Sequence, residues 1–131
     1  MSKAKRKPAL ARSSIARRSP CPLACSLDVL GDRWTLLVIR DLFLGRARFR
    51  DFLASPEGIP TNILSDRLER LLEQRIVQQI PASDGTKRLA YSLTKKGKAL
   101  GPLLETMRDW GLQWDKNTKV LLEPKPDPGS R

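Results

Sequence analysis

The most consequential absence in this chain of 131 residues is histidine, which does not occur at all. Histidine is the commonest acid–base group near neutral pH, the usual partner of a Ser or Cys nucleophile and the commonest transition-metal ligand. The Asp, Glu and Lys residues are scattered, and no paired carboxylates or phosphate-cradling glycine loop take its place. We therefore expect no enzymatic activity, no cofactor and no metal site.

Cysteine is also scarce, since only Cys21 and Cys25 are present. Two thiols four residues apart lack the second pair that a zinc ribbon or a disulfide framework needs. A disulfide between them within one helical turn would be strained. They are therefore either buried thiols or a redox site, for which Cys21 is the better candidate, because a helix start and the preceding Arg17 and Arg18 favour a thiolate.

Long hydrophobic runs are missing as well. No stretch of about 18 apolar residues, as a membrane-spanning helix needs, and no signal-peptide core occur, so we expect neither a membrane span nor secretion but a cytoplasmic protein. Aromatic residues make up 5% of the chain and hydrophobic residues 40%. Aliphatic side chains must therefore fill most of the core of what we expect to be a single domain.

Positive charge is what the chain has in excess, with a formal net charge of +11 at pH 7. Residues 1–20 contain seven basic side chains and no acidic one, and we predict a flexible basic arm there. Residues 116–131 are rich in proline and are predicted to form a flexible tail. The domain is expected over 21–115, where basic side chains cluster at Lys87, Arg88, Lys95, Lys96 and Lys98. Such a charge indicates an anionic partner.

Apolar periodicity predicts helices over about 22–30, 34–43 and 49–53, a fourth starting near Thr61, and a last one capped by Thr94. Gly31 is expected to end the first helix in the left-handed conformation, and Asp32 is expected to cap the second. Pro102 should kink or break the last helix, because it removes a backbone hydrogen bond.

Two predicted strands over 77–80 and 88–93 flank the turn residues Ser83–Thr86, which indicates a β-hairpin. The second strand is expected to place Leu89, Tyr91 and Leu93 on one face. A short helix, a turn, an amphipathic helix and a hairpin in this order are the layout of a winged helix-turn-helix. The predicted fold is therefore mainly α with a small β-hairpin wing.

Several short motifs support this interpretation. They are Cys21-Pro22-Leu23, Gly31-Asp32-Arg33-Trp34, the Phe49–Leu53 segment, Ile63-Leu64-Ser65-Asp66-Arg67-Leu68, Tyr91-Ser92-Leu93-Thr94 and Trp110-Gly111. Together they resemble the HxlR-type family of bacterial transcriptional regulators. The resemblance implies a homodimer that binds an inverted repeat in double-stranded DNA and pairs through its terminal helices. The chain departs from the family at Pro60, before the fourth helix, and at Arg75, where many relatives have a small residue or Gly.

The fourth helix would supply the side chains that read bases, because Asn pairs with adenine, Arg with guanine, and Ser contacts either kind of base edge. The candidates on its N-terminal half are Thr61, Asn62, Ser65 and Arg67. The alternative is a solvated outer face, on which Thr61 merely caps the helix and Arg67 or Arg70 merely pairs with Glu69 or Glu73.

The wing would add Lys87 and Arg88, which we expect to contact phosphates or the minor groove and to make DNA binding salt-dependent. Charge at a hairpin tip also protects an exposed sheet edge from aggregation, and this simpler role stays open. Further candidate phosphate contacts, equally consistent with solvated surface, are Arg33, Arg46, Arg48 and Arg50.

The last helix carries an apolar stripe at helical spacing, made of Leu103, Met107, Trp110 and Trp114. This stripe is too large for a lone helix facing solvent. Folding back onto its own domain is the alternative, but little core remains for the stripe to cover. We therefore predict that it forms a homodimer interface.

These features predict a homodimeric, sequence-specific DNA-binding transcriptional regulator. Two alternatives stay open: a regulator that senses oxidants or electrophiles through the thiol of Cys21, and a nonspecific basic nucleic-acid-binding protein. Some HxlR-type relatives use the cysteine of the Cys-Pro element in that way. The operator and the identity of any small-molecule or redox effector are not predicted.

Overall fold

A computed structural model describes residues 19–82, 85 and 88–122. The predicted basic arm up to residue 18, Lys87 of the wing, and the tail from residue 123 lie outside the described residues. Within them the chain forms α1 (Pro22–Leu30), α2 (Thr35–Phe43), α3 (Phe49–Leu53), α4 (Thr61–Glu73), β1 (Val77–Pro81), β2 (Leu89–Leu93), α5 (Lys95–Lys98) and α6 (Gly101–Trp114). The predicted fold, mainly α with a hairpin wing, is confirmed.

The junction between α1 and α2 turns sharply at Gly31. The prediction that Gly31 is left-handed is wrong, since its φ is −84°. Glycine is needed there for another reason: a Cβ atom would lie 2.4 Å from the carbonyl oxygen of Leu27. Asp32 then accepts hydrogen bonds from the backbone N–H groups of Trp34 and Thr35, at 3.4 and 3.3 Å, as predicted for the cap of α2.

The core lies where α2, α3 and α4 meet the base of the hairpin. Val38 and Ile39 of α2 are buried, as is Phe52 of α3. The apolar stripe of α4 faces them with Leu64, Leu68 and Leu71, all buried. Ile59, Ile76, Val77 and Leu93 complete this mainly aliphatic core. The opposite side of α4 is thereby left at the surface.

The hairpin pairs antiparallel, with Val77 opposite Leu93 and Pro81 opposite Leu89. The predicted alternation of β2 is wrong at its start, because Leu89 is exposed and Ala90 is buried. Leu89 belongs to the last pair of the ladder, at the end of the hairpin that is farthest from the core. At that end the large side chain of Leu89 is not covered by other residues, whereas the small methyl group of Ala90 is buried.

A Schellman-type turn ends α4 and leads into β1. The Ile76 N–H donates to the Leu71 carbonyl at 3.0 Å, and the Arg75 N–H donates to that of Leu72 at 3.1 Å. Arg75 has a φ of 60°, a conformation that glycine adopts without the steric cost paid by other residues. Arg75, one of the two departures from the family pattern, therefore has a strained backbone conformation.

The connection from the wing to α6 is short and tightly packed. The Thr94 hydroxyl accepts from the Gly97 N–H at 3.1 Å, which confirms it as a cap. A Cβ atom on Gly97 would lie 2.2 Å from the Ile76 carbonyl oxygen. The helix breaks before Gly101, and Pro102 lies in the first turn of α6, as expected for a residue that cannot continue a helix. No helix in the described part of the chain has the length and apolarity needed to cross a membrane.

Replacing Arg75 by glycine should raise the free energy of unfolding by about 1 kcal/mol, because the left-handed conformation is then unstrained. Urea unfolding at a fixed protein concentration measures it. The matched control is Gln74→Gly, one residue earlier, where φ is −80°. That change should destabilise the protein by about 0.5–1 kcal/mol, and equal effects of both changes would contradict the strain at Arg75.

Candidate nucleic-acid interface

The N-terminal half of α4 presents a small polar face to solvent. Thr61, Asn62 and Ser65 are exposed there, while Leu64 and Leu68 point into the core. The helical repeat brings residues 61, 62 and 65 to the same side of the helix. Three of the four residues predicted to read bases are thus brought together on one surface.

The start of α4 leaves backbone donors at this face. Pro60 is the N-cap residue and no side chain caps the helix, so Thr61 does not have the merely capping role that was the simpler alternative. The first N–H groups of a helix carry a partial positive charge and suit a phosphate group. The face therefore combines polar side chains with backbone donors for an anion.

Arg67, the fourth residue predicted to read bases, forms ion pairs within the protein. Its guanidinium donates to the carboxylate of Asp32, at the start of α2, and to that of Asp66. Burial alone would raise the pKa of Asp32, but hydrogen bonds from Thr35 and Arg67 and the charge of Arg67 together lower it below its ordinary value of 3.8. Arg67 thus joins α4 to α2 in this structure.

A second polar cluster, which the sequence analysis missed, holds the loop before α4. Arg40 of α2 donates to both carboxylate oxygens of Glu57 at 2.8 Å, and to Asp41 at 2.8 Å. Asp41 is buried and also accepts from the Ser55 hydroxyl. The hydrogen bond from Arg40 lowers the pKa of Glu57 below 4.5, although burial opposes this shift. The available signal was a charged Arg–Asp pair inside an otherwise apolar helix.

The four arginines predicted to contact phosphates are spread over two elements. Arg33 is exposed beside α2 and lies over the Trp34 ring at 5.2 Å. Arg46 and Arg48 are half-buried and Arg50 is exposed; they lie in or before α3, where Arg48 is the N-cap residue. The structure therefore places three of the four near the first helix of the helix-turn-helix.

The wing is fixed to α3 at its base. The Tyr91 N–H donates to the Ala47 carbonyl at 2.8 Å, and the Tyr91 ring meets the Phe52 ring edge-on with centroids 6.2 Å apart. Arg88 is exposed immediately before β2, at the distal end of the hairpin. The basic side chain is thus held on a strand whose base is anchored to the core.

Two helices, α1 and α6, expose apolar side chains. In α6, which contributes no buried residue, the predicted stripe is exposed, with Trp110 at 67% and Trp114 at 68%. Leu103 and Met107 belong to the same exposed stripe, and α1 adds Leu23 and Leu27. A monomer in water would keep all of this surface hydrated, at a cost proportional to its area.

The two thiols differ in their surroundings. Cys21 is exposed and is the N-cap residue of α1, whereas Cys25 is partly buried and its thiol donates to the Ser19 carbonyl at 3.2 Å. Within the described residues, no three His, Cys, Asp or Glu side chains gather in a way that could hold a metal ion. Cys21 is thus the more accessible thiol.

Comparison with known proteins matches residues 29–119 to the HxlR-like helix-turn-helix family. YvaP of Bacillus subtilis, an HTH-type transcriptional regulator, is 34% identical over 89 residues, which are 68% of this chain and 82% of YvaP. The chain also matches mycobacterial HTH-type regulators at 38% identity, spanning about half (54%) of their length.

Solved structures show the same likeness. PA1607, assigned as a transcription factor, superposes with a TM-score of 0.71 at 39% identity, covering 84% of this chain and 82% of that one. The reduced form of the transcriptional regulator YodB from B. subtilis gives a TM-score of 0.62 at 28% identity, covering 77% of this chain and all (100%) of YodB. Diamide-treated and quinone-bound structures of YodB also match.

Proposed function

Because the chain belongs to the HxlR-like helix-turn-helix family and is a transcriptional regulator of that type, we propose that it binds an inverted-repeat operator as a homodimer. Members of this family are regulators and not enzymes, and the helix-turn-helix implies DNA as the partner. We assign residues 21–115 to DNA binding and pairing, with 1–20 as a basic arm and 116–131 as a proline-rich tail.

The observation that carries the proposal is the exposed polar face at the N-terminal end of α4. In helix-turn-helix proteins the second helix enters the major groove and its N-terminal residues contact base edges. Asn62 and Ser65 are the proposed base-reading residues, and Thr61 with the first backbone N–H groups would contact phosphate. Lys87 and Arg88 of the wing, with Arg33, Arg46, Arg48 and Arg50, would add phosphate contacts that carry no sequence information.

Changing the helix and changing the wing should have different effects. Asn62→Ala should cost about 1–3 kcal/mol at one base pair of each half-site and leave other positions unchanged. Arg88→Ala should weaken every duplex to the same extent and reduce the slope of log K against log salt by about one unit per half-site. Titrations of matched and singly mutated operators at several salt concentrations measure both effects.

Lys95→Ala is the matched control for Arg88, since it removes an exposed positive charge at the opposite end of β2. It should leave the salt slope unchanged. A wing variant that changes base preference, or a helix variant that only changes the salt slope, would contradict this division. Equal binding to operator and random DNA would instead favour a nonspecific basic protein.

Arg67 is proposed to hold α4 in position through Asp32, and substitutions of Asp32 separate this role from base reading. Asp32→Asn keeps a good helix cap and removes the charge. If Arg67 read DNA, this change would release it and raise operator affinity. We expect the reverse, a loss of about tenfold, as for a lost charged hydrogen bond, in both Asp32→Asn and Arg67→Gln. The double variant should be no weaker than either single one, which equilibrium binding tests.

The homodimer is proposed to form through the exposed stripe of α6, extended by Leu23 and Leu27 of α1. Met107→Glu with Trp114→Glu should yield monomers with weaker operator binding, because each half-site then binds without the tethering gain. Light scattering at about tens of micromolar, a range set by typical weak-dimer affinities, measures the mass. Glu105→Ala, on the opposite side of α6, is the control and should stay dimeric. A monomeric wild type would refute the proposal.

A second candidate function, thiol sensing, is supported by the exposure of Cys21 at the start of α1. Among the matching structures, YodB is known in reduced and diamide-treated forms. If Cys21 senses oxidants, diamide should change the operator affinity of the wild type and of Cys25→Ser, but not of Cys21→Ser. Equal affinity of reduced and treated wild type would leave Cys21 without a sensing role.

A further inference from the structure

An open surface cleft of about 490 Å³, called the cavity below, lies between the wing and the C-terminal end of α2. This volume falls within the range of small-molecule sites in proteins. Its walls come from the end of α2, the loop that follows it, both strands of the hairpin, and α5. None of its lining residues belongs to the polar face of α4, but Arg46, one of the proposed phosphate contacts, is among them.

The chemistry of the walls is apolar with a cationic edge. Leu42, Phe43, Ile80 and Leu93 supply most of the lining, and Phe43 and Ile80 remain 38% and 39% exposed, which leaves apolar surface for a ligand to cover. The cavity is also lined by Lys98, whereas no acidic residue lines it. A ligand that fits must therefore be largely apolar and carry negative charge at one end.

Three further polar groups line the cavity. Arg46 adds a second positive charge, but it already has a partner within the protein, so Lys98 is the cation on which the inference rests. Tyr91 and Ser92 also line the cavity, although the Tyr91 hydroxyl already accepts a hydrogen bond from the Gln79 side chain. Apolar walls with a few polar groups are the usual composition of a small-molecule site.

We propose that this cavity binds an amphipathic organic anion, a flat apolar ring system carrying one carboxylate or sulfonate. The rings would cover Phe43 and Ile80, and the acidic group would face the ammonium of Lys98. Charge-assisted hydrogen bonds to an ammonium group are stronger than neutral ones, and this gives the anion its advantage over an uncharged ring system.

The position of the cavity gives such a ligand a means to change DNA binding. The Tyr91 N–H to Ala47 carbonyl bond closes the junction between wing and loop beside it. On the other side, the Phe43 ring packs close to Gly101, the first residue of α6. A Cβ atom on Gly101 would lie 3.4 Å from this ring. A ligand wedged between these elements shifts the wing relative to α6 and so alters the spacing of the two half-site readers. This second step rests on the proposed function, whereas binding itself does not.

The test uses 8-anilinonaphthalene-1-sulfonate, a fluorescent dye of this class, with uncharged N-phenyl-1-naphthylamine for comparison. Fluorescence titration of the full chain without DNA measures the affinity of each. Lys98→Glu should weaken the sulfonate dye by about tenfold or more, the effect of one lost charged contact, and leave the uncharged dye unchanged. The matched control Lys95→Glu, on the same short helix but outside the cavity, should change neither.

Ser92→Phe, which places a bulky ring in the wall of the cavity, should weaken binding of both dyes, and circular dichroism establishes that this variant is folded. Equal effects of Lys95→Glu and Lys98→Glu would overturn the proposal. So would sulfonate binding that survives Ser92→Phe but is lost with Trp110→Ala, because the dye would then lie on the α6 stripe. Absence of dye binding to the wild type would overturn it as well.

Operator titration with and without saturating dye then measures the coupling. We expect the dye to change operator affinity in the wild type and in Lys95→Glu, and to have a smaller effect in Ser92→Phe. Dye binding without DNA succeeds or fails independently of operator recognition. Failure of the cavity and failure of the proposed function therefore give different results.

Discussion

The buried carboxylate of Asp41 is the constraint on which the arrangement of this domain depends. It is 2% exposed, in a helix that is otherwise the apolar centre of the core. An unpaired charge in such a place costs several kcal/mol, so its partners must be held in position for the fold to be stable. Arg40 and the hydroxyl of Ser55 compensate it, and Arg40 extends the network to Glu57.

This compensation determines where α4 begins. Ser55 and Glu57 lie in the loop between α3 and α4, so satisfying Asp41 draws that loop against α2. Asp32 and Arg67 add a second tie, from the start of α2 to the middle of α4. With Leu64 and Leu68 buried below, the helix is held by the core, by the loop before it and by the Arg67–Asp32 pair, and the polar residues of its N-terminal half stay exposed. A rigid reading face loses little conformational entropy when it binds.

Local signals were enough to predict the elements, and long-range pairing explains what they missed. The helix starts at Pro22 and Thr61, the cap at Asp32 and the break before Pro102 follow from chemistry within a few residues. Arg67 and Asp32 are 35 residues apart in sequence, and Arg40 and Glu57 are 17 apart.

The exposed residues of the candidate reading face on α4 were therefore predictable from the helical repeat. The ion pair between Arg67 and Asp32 was not predictable in this way. Periodicity assigns a side chain to a face of its helix, and the fold decides which partner meets it there. At Gly31 the sequence indicated that glycine is required but not why. The close approach to the Leu27 carbonyl, which is the reason, depends on how α1 packs into the turn.

The distribution of burial leaves the apolar stripe of α6 uncovered within a single copy of the chain. The helices α2, α3 and α4 with the hairpin base supply nearly the whole core, whereas α6 buries no residue and still exposes two tryptophans. The close packing of Gly97 against Ile76 fixes the end of the wing, and α6 then contacts the core through Leu104 while its tryptophans stay exposed. In the proposed homodimer, the partner copy would cover this apolar surface and stabilise α6 further. The orientation of two reading faces on one DNA would then be set by α6, so any displacement at the wing–α6 junction changes their spacing.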